Sequence, residues 1–557
     1  MTEGTLQNQH PGLHGFALWR NPILWKNFKS RLRAQALFQC LLVFITSAFL
    51  TLIIYTGMDT FDANSVESAR AGIIPLLIVQ AVILMLAGTG RITSGVIHER
   101  VTGTLEYTRL TPMSPMDKVL GYLFGLPVRE YILFAITVPF MAFLLIKGQI
   151  PVNVTAQVYL VFFSSVLLYH LIGLVFGLVL KEWRMSVLLT QGVVILINLV
   201  LPLFSNLGFP FLQYLTIRPV VSANIMPYLP QSSAFRSAIP EAFFSGDVAF
   251  FEWSISTTSF SLLLQGILIF TLGLMVYRKW ESAFNHSLSK TYALCLFVGL
   301  QIFCIGTLWP NLVGNDSSSY AQGLLPSDFS PDDLAFILPI MFSIFSLVCV
   351  FWLLYVITPT HDEYRSGLIR DRKLRNLHLP GLPLLDDKSS GLLSTVCLAL
   401  LTAAFIGFVQ ITLIASSGDA GFLTASVVYM TDYWKLPMAS VLIIVYFYVA
   451  LEYLELQKLA ILILCLWIVP ILLGVVAVVT FDVEQNWAYI ISTSPIPLLI
   501  YSGSAVTMTE GAADAAEYIL INRAFWFGTS FISLTTALLA YKLQQLQTRA
   551  RAHGSDR

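Results

Sequence analysis

Long apolar runs separated by short polar stretches dominate this sequence. Most runs approach or exceed the ~20 residues that a helix needs to cross a bilayer. Backbone groups in lipid must be paired within the segment, so continuous apolar runs predict helices and not the alternating strands of a barrel. We predict twelve membrane-spanning helices, at about residues 35–57, 71–90, 119–146, 154–180, 187–204, 254–277, 292–309, 336–357, 392–415, 437–451, 459–480 and 524–543.

Composition supports the same class. Only 11% of the 557 residues are charged and the mean hydropathy is +0.75, whereas a soluble chain carries about 25% charge. Lysine plus arginine and aspartate plus glutamate both number 32, so no global basic surface suggests nucleic acid. The six cysteines lie in apolar runs without metal-binding or disulfide spacing. The fold class expected is therefore an all-α polytopic membrane protein.

The distribution of charge between loops predicts the orientation. Cytoplasmic loops of membrane proteins are enriched in lysine and arginine. The basic stretches are residues 1–34, 91–118, 358–391 and 544–557, and the mainly acidic ones are residues 59–67, 316–333 and 481–523. This alternation places the four basic stretches, and hence both termini, in the cytoplasm.

The loop lengths suggest a duplicated chain, with six-span halves at 35–290 and 291–543 between the N-terminal segment and the tail. Each half has a large cytoplasmic segment between its second and third spans, at 91–118 and 358–391. Parallel repeats of this kind are common in transporters. A long outer excursion precedes the last span of each half, and its short apolar pieces broken by proline predict re-entrant or interfacial helices.

The sequence lacks the motifs of an enzyme that hydrolyses nucleotides. A phosphate-binding loop requires GxxxxGK[ST], and the dipeptide Gly-Lys never occurs. No HExxH motif or cluster of convergent carboxylates indicates a metal site. We therefore expect no catalytic, metal or cofactor-binding residues in this chain, and any ATP-driven work has to come from another polypeptide.

The segment 91–118 reads RITSGVIHERVTGTLEYTRLTPMSPMDK. Gly103 should break the helix that continues from the second span, Thr104 can cap a new short helix, and Glu106 falls in its first turn. Pro112 should end that helix. A short helix bounded by glycine and proline suits a groove on a cytoplasmic partner, and the alternative is an ordinary basic loop.

This stretch resembles the cytoplasmic coupling segment of type-2 ATP-binding-cassette exporter permeases, ER-x-x-GTLE-x-x-x-LTP-x-S. The matching residues are Glu99, Arg100, Gly103, Thr104, Leu105, Glu106, Leu110, Thr111, Pro112 and Ser114. The opening NPILWKNFKSRLR is similar to that family's Asn-Pro pair and basic amphipathic helix, with Leu24, Phe28 and Leu32 on one face.

The resemblance implies a plasma-membrane (bacterial inner-membrane) permease that exports a lipid, drug-like or glycoconjugate substrate. Two cytoplasmic ATPase subunits would bind ATP-Mg and dock on the coupling segments, and membrane lipids would surround the helices. The segment 358–391 lacks the GTLE and LTP signature. It makes either a looser contact with a second ATPase or a regulatory or lipid-headgroup surface.

One candidate polar site lies near the membrane. Arg129 and Glu130 lie about ten residues into the predicted third span, and an ionisable residue inside the membrane suggests a functional site. Adjacent helical residues do not face each other, so we expect the two to contact different neighbours. The alternative is that the third span begins only near Tyr131, which leaves both in the headgroup zone.

Three functions remain open from the sequence. The leading hypothesis is the permease of an ATP-binding-cassette exporter. A secondary carrier also has twelve spans in two parallel repeats, but usually shows paired charges or broken helices at mid-membrane. A polytopic lipid-modifying enzyme is the third, and no converging acids support it.

Overall fold

The computed structural model describes sixteen stretches of the chain. These are residues 21–31, 34–59, 65–179, 183–205, 209–229, 247–282, 286–313, 331–359, 361–378, 380–381, 383, 385–416, 433–454, 456–481, 484–504 and 512–553. Within them the chain is almost entirely helical, with one two-stranded sheet. The protein is therefore an all-α polytopic membrane protein, as predicted.

Eleven helices in the described residues are long and apolar enough to cross a membrane. They coincide with eleven of the twelve predicted spans. The exception is 459–480, where the apolar helix Ile461–Gly474 falls short of the required length. A π-helical stretch, Leu464–Ile468, lies inside this region. The third candidate span runs from Val128 to Lys147. It starts later than the predicted residue 119 and agrees with the alternative that the span begins only near Tyr131.

Contacts divide the chain into two compact units, the first comprising Met1–Pro202, Gln213–Asp247 and Ser256–Asn285. Its helices are α1 (Pro22–Arg31), α2 (Ala34–Asp59), α3 (Ser65–Ala71), α4 (Ile73–Ala81), α5 (Thr89–Val101), α6 (Thr104–Leu110), α7 (Pro115–Gly125), α8 (Val128–Lys147), α9 (Val152–Val179), α10 (Trp183–Ser205), α11 (Arg218–Asn224) and α12 (Thr257–Glu281). A π-helical stretch, Val82–Gly88, joins α4 to α5, and 3₁₀ turns flank α11. Short helical pieces thus occupy residues 210–228, within the predicted outer excursion of the first half.

Helix α9 is the centre of the first unit and packs against α5 and α12. Its side chains Val158, Val161 and Phe162 are fully buried. Helix α2 lies at the periphery, where it packs against α8 and leaves Leu37 and Phe38 about 70% exposed. Such an apolar helix surface is stable only when lipid covers it, which agrees with a membrane location.

Helix α1 is a capped amphipathic helix that packs on α7. Asn21 is its N-cap, because its Oδ1 accepts from the backbone N–H of Ile23 at 3.0 Å, and proline at the next position needs no partner for its missing N–H. The buried side is Ile23, Leu24 and Asn27. Phe28 is 39% exposed, so the predicted apolar face is correct for Leu24 alone, while Leu32 lies outside the described residues.

His170 of α9 explains the π-helical stretch in the second span. Its Nε2 lies 3.0 Å from the carbonyl oxygen of Leu84, a group that the irregular turn exposes. Its Nδ1 lies 3.2 Å from the hydroxyl of Tyr131. Gly88 leaves room for the ring, since a Cβ there would lie 2.7 Å from Nε2. His170 is thus a buried, hydrogen-bonded histidine of the core.

The second unit comprises Leu203–Leu212, Val248–Ile255 and His286–Arg557. Its helices are α13 (Lys290–Val313), α14 (Pro331–Ile357), α15 (His361–Asn376), α16 (Leu392–Ser416), α17 (Lys435–Tyr453), α18 (Leu456–Ile463), α19 (Val469–Phe481), α20 (Glu484–Ile491), α21 (Pro495–Ser504) and α22 (Ala512–His553). Helix α17 is central and packs against α14, α16, α21 and α22.

A short hairpin of β1 (Asp247–Phe250) and β2 (Trp253–Ser256) was not predicted from the sequence. The ring of Phe250 packs on α13, where Gly306 has no side chain to block it. The backbone N–H of Phe251 donates to the carbonyl of Gly306 at 2.8 Å. The hairpin is held by this tertiary contact, which a local pattern of residues does not reveal.

Candidate functional site

The segment between α5 and α7 forms a compact helical turn. Helix α5 ends at Val101, and Gly103 takes the left-handed conformation with φ of 74°. The carbonyl of Gly103 accepts from the N–H of Glu106 at 3.1 Å, so Gly103 itself is the N-cap of α6. The expectation that Thr104 caps the helix is wrong in this detail, because Thr104 is its first residue. The predicted break at Gly103 is confirmed.

The end of α6 is also as expected. The helix stops at Leu110, and Thr111 is extended, which is the conformation favoured before a proline such as Pro112. Ser114 then caps α7, because its Oγ accepts from the N–H of Asp117 at 3.1 Å. The left-handed Gly103 and the extended Thr111 therefore bound α6 at its two ends.

Two buried side chains hold α6 in place. Leu105 is 1% exposed and belongs to the core formed with α5, α7 and α12. Lys118 is buried on α7, and its Nζ donates to the carbonyls of Arg109 and Thr111 at 2.9 and 3.1 Å. A cation at these carbonyls also suits the negative end of the helix dipole. Burial lowers the pKa of Lys118.

Glu99 of the motif faces inward. Its carboxylate accepts hydrogen bonds from the hydroxyl of Tyr122 and from Nζ of Lys26, the latter at 2.8 Å. The Tyr122 ring stacks on Trp280 with centroids 5.0 Å apart. Burial, together with the hydrogen bond to Glu99, raises the pKa of Tyr122 above its usual range. Glu99 thus joins α5 to α1 and α7.

The outward surface of this segment carries three large apolar side chains among polar ones. Val101, Tyr107 and Leu110 are 73%, 75% and 82% exposed. Tyr107 is two residues from the buried Leu105, and this spacing puts it on the opposite face of the helix. We define these three residues as the exposed apolar patch. The sequence analysis did not single out Val101 or Tyr107. For Tyr107, the helical spacing from the apolar Leu105 indicated a position on the opposite face of α6.

The remaining motif residues divide by exposure. Glu106, Thr111 and Pro112 are exposed, and Arg100 and Thr104 are partly exposed. Glu106 pairs with Arg109 at 2.7 Å, with its side chain 66% exposed. The structure therefore brings the motif together as one rigid turn, with Glu99 and Leu105 inside and the others at the surface.

Arg129 and Glu130 lie in the first turn of α8. Glu130 is 1% exposed, and its Oε1 accepts from Nη2 of Arg129 at 2.6 Å and lies 3.3 Å from Nε of Arg91. The expectation that the two adjacent residues contact different neighbours is wrong, because the long arginine side chain bends back to the carboxylate. Arg91 was not predicted as a member of this site.

Arg31 completes the cluster. Its guanidinium interacts electrostatically with Glu130, Arg91 and Arg129, and burial lowers its pKa. Its Nη2 would lie 3.0 Å from a Cβ at Gly95, so this glycine makes room for it. Arginine stays charged in proteins even so. We call Arg31, Arg91, Arg129 and Glu130 the arginine cluster.

The segment 358–391 of the second unit contains α15, which exposes most of its charges. The exposed basic residues are Arg365, Arg370, Arg372, Lys373 and Arg375, and Ile369 is 62% exposed among them. Lys290 holds the loop that follows α15, because its buried Nζ donates hydrogen bonds to the carbonyls of Asp386 and Ser389 at 2.8 and 2.7 Å.

Within the described ranges, no group of three histidine, cysteine, aspartate or glutamate side chains is placed to hold a metal ion. No family model, curated protein or solved structure matches this chain. The fold alone defines the class, a multi-pass α-helical membrane protein.

Proposed function

We propose that this chain is the permease of an ATP-binding-cassette exporter, driven by separate ATPase subunits that dock on the 91–118 turn. The observation that carries the proposal is the exposed apolar patch on a helix held by buried anchors. A loop that only connects two spans has no need to fix three large apolar side chains at its surface. Charges near them supply a polar rim, as at protein interfaces.

The turn is suited to transmit force as well as to bind. Leu105 and Lys118 tie α6 to the core and to α7, and Glu99 ties α5 to α1 and α7. A push on α6 would therefore reach the helices that continue into the second and third spans. The ATPase subunits would bind ATP-Mg, and this chain would contribute no catalytic residue or cofactor. A second subunit would dock on α15, where Ile369 lies among basic side chains.

The wider arrangement belongs to the same proposal. The two six-span halves would be parallel repeats with twelve spans, and both termini would lie in the cytoplasm of a cell with this protein in its plasma membrane. The exported substrate would be a lipid, a drug-like molecule or a glycoconjugate. The basic stretches 91–118 and 358–391 then lie on the cytoplasmic side, where an ATPase can reach them.

The test is reconstitution with ATPase subunits encoded beside this chain. The purified chain alone should hydrolyse no ATP, and the complex should. The double variant Tyr107→Ser, Leu110→Ser should weaken association at least tenfold, since aromatic and large apolar side chains dominate interface energies. The control Ile146→Ser alters a side chain that is 76% exposed at the far end of α8. ATP hydrolysis by the isolated chain, or unchanged association of the double variant, would refute the proposal.

One observation favours the second candidate, a secondary carrier. Gln80 is fully buried, and its amide bonds Thr137 at 2.9 Å and the hydroxyl of Tyr159 at 2.7 Å. This polar chain joins α4, α8 and α9 inside the apolar region, where polar residues often mark transport pathways. Transport in proteoliposomes that runs on an ion gradient without ATP would support the carrier.

A further inference from the structure

We propose that the arginine cluster and an apolar groove beside it form a binding site for one anionic phospholipid, whose phosphate contacts the arginines and whose acyl chain lies in the groove. This proposal concerns the first unit alone and does not depend on the ATPase partner.

The arginine cluster carries an excess of positive charge. Three guanidinium groups surround the single carboxylate of Glu130, which Arg91 and Arg129 contact and with which Arg31 interacts electrostatically. The neighbouring pair of Lys26 and Glu99 is neutral. Arg91 and Arg129 both use the same oxygen, Oε1 of Glu130. An arginine has five N–H donors. The Nη groups of Arg91 and Nη1 of Arg129 bond to no other residue that the structure describes.

Glu130 organises these donors. The carboxylate is 1% exposed, whereas the side chains of Arg129 and Arg91 are 19% and 44% exposed. The acid therefore sits behind the two guanidinium groups and holds their orientation, while Arg91 remains accessible. Guanidinium groups bind phosphate oxygens through paired hydrogen bonds, so this arrangement suits a phosphate group.

The groove lies between α2 and the second span. It has a volume of about 220 Å³ and is lined by Leu42 and Thr46 on one side and by Ile78, Val82 and Ile83 on the other. The only polar lining group, the hydroxyl of Thr46, donates to the carbonyl of Leu42 at 2.7 Å. Leu42 is 54% exposed and Ile78 49% exposed, so the groove opens at the apolar surface that lipid covers.

The two parts are spaced for one lipid. Arg31 precedes α2, and its guanidinium packs beside Gly95 of α5, so the arginines mark the same end of both helices. Ile83 lies eight residues before Arg91, or about 12 Å along a helix. Leu42 is likewise eight residues beyond the start of α2. An acyl chain that enters the groove therefore places its headgroup near the arginines. Basic pockets between membrane helices bind anionic headgroups in this manner.

Native mass spectrometry of the full chain in detergent tests the site, with phosphatidylglycerol and phosphatidylcholine of identical acyl chains as probes. Phosphatidylglycerol should bind more tightly. Arg31→Gln and Arg91→Gln should each weaken it about fivefold, the effect of one charge at a membrane surface. Lys29→Gln, at an exposed position of α1, is the charge control and should bind normally.

Two further arms separate binding from damage to the fold. Glu130→Gln removes the negative charge and should strengthen phosphatidylglycerol binding, an effect opposite to that of the arginine variants. Leu42→Trp fills the groove and should weaken binding, whereas Leu41→Trp, at a position 56% exposed on the same helix, should not. Glycerophosphate in excess should fail to compete.

Equal binding of the two lipids, weaker binding by Glu130→Gln, or equal effects of the two tryptophan variants would overturn the proposal. Full competition by glycerophosphate would show that the arginines bind a free phosphate and would overturn the lipid assignment.

Discussion

Replacing Gly103 should loosen α6 by an amount that the backbone geometry predicts. Gly103 has φ of 74°, and no atom lies within 4 Å of a Cβ placed there. The penalty is therefore torsional and contains no steric clash with neighbours. A left-handed conformation costs an L-residue about 1–2 kcal/mol. Gly103→Ala should therefore destabilise α6 by this amount. Gly103→Val should destabilise it more because valine is β-branched, and Gly103→Asn less because asparagine tolerates the left-handed region.

The effect should be local, because α6 has only seven residues and opens as a unit from its anchors. Amide exchange in residues 105–110 should accelerate about 5- to 30-fold in Gly103→Ala, which corresponds to 1–2 kcal/mol. Hydrogen–deuterium exchange of the full chain in detergent, read from a peptide covering this helix, measures the change. Exchange should rise in the order asparagine, alanine, valine.

Gly192 provides the matched control. It lies inside α10 with an ordinary helical φ and no atom within 4 Å of its Cβ position, so Gly192→Ala should slow local exchange. Exchange rates in Gly103→Val equal to those of the native chain would refute the torsional reasoning. With an ATPase partner present, Gly103→Val combined with Glu106→Lys should release the ATPase. The permease itself should stay folded, because the exposed ion pair of Glu106 contributes under about 1 kcal/mol to folding.

Two other outcomes are expected. In sealed cells an impermeant thiol reagent should label Ser318→Cys, which lies outside the described residues, and Asp514→Cys, but not Arg372→Cys; labelling of the last would overturn the predicted orientation. Because the pKa of Tyr122 is raised in the folded state, its contribution to stability is complete below about pH 10 and is lost as the pH rises toward the raised pKa. The thermal midpoint of Tyr122→Phe should therefore fall less than that of the native chain above pH 10. Equal falls in the two proteins would contradict the raised pKa that burial and the hydrogen bond to Glu99 produce.

Local properties of the sequence determined the helices. Hydropathy over about twenty residues is enough to place a span, because a backbone in lipid has no option but to pair with itself. Gly103 and Pro112 likewise marked a break and an end, since each acts through its own backbone or that of its neighbour.

Tertiary structure decided which side chains meet. Arg31, Arg91 and Glu130 are separated by up to 99 residues in the chain, and only helix packing brings them together at one carboxylate. Helix α7, which the hydropathy pattern assigned in part to the third span, is a separate helix that ends at Gly125 and packs against α1 and α12. A local pattern records the preference of a segment for lipid or water, whereas the partner of a charge depends on distances that only the folded chain defines.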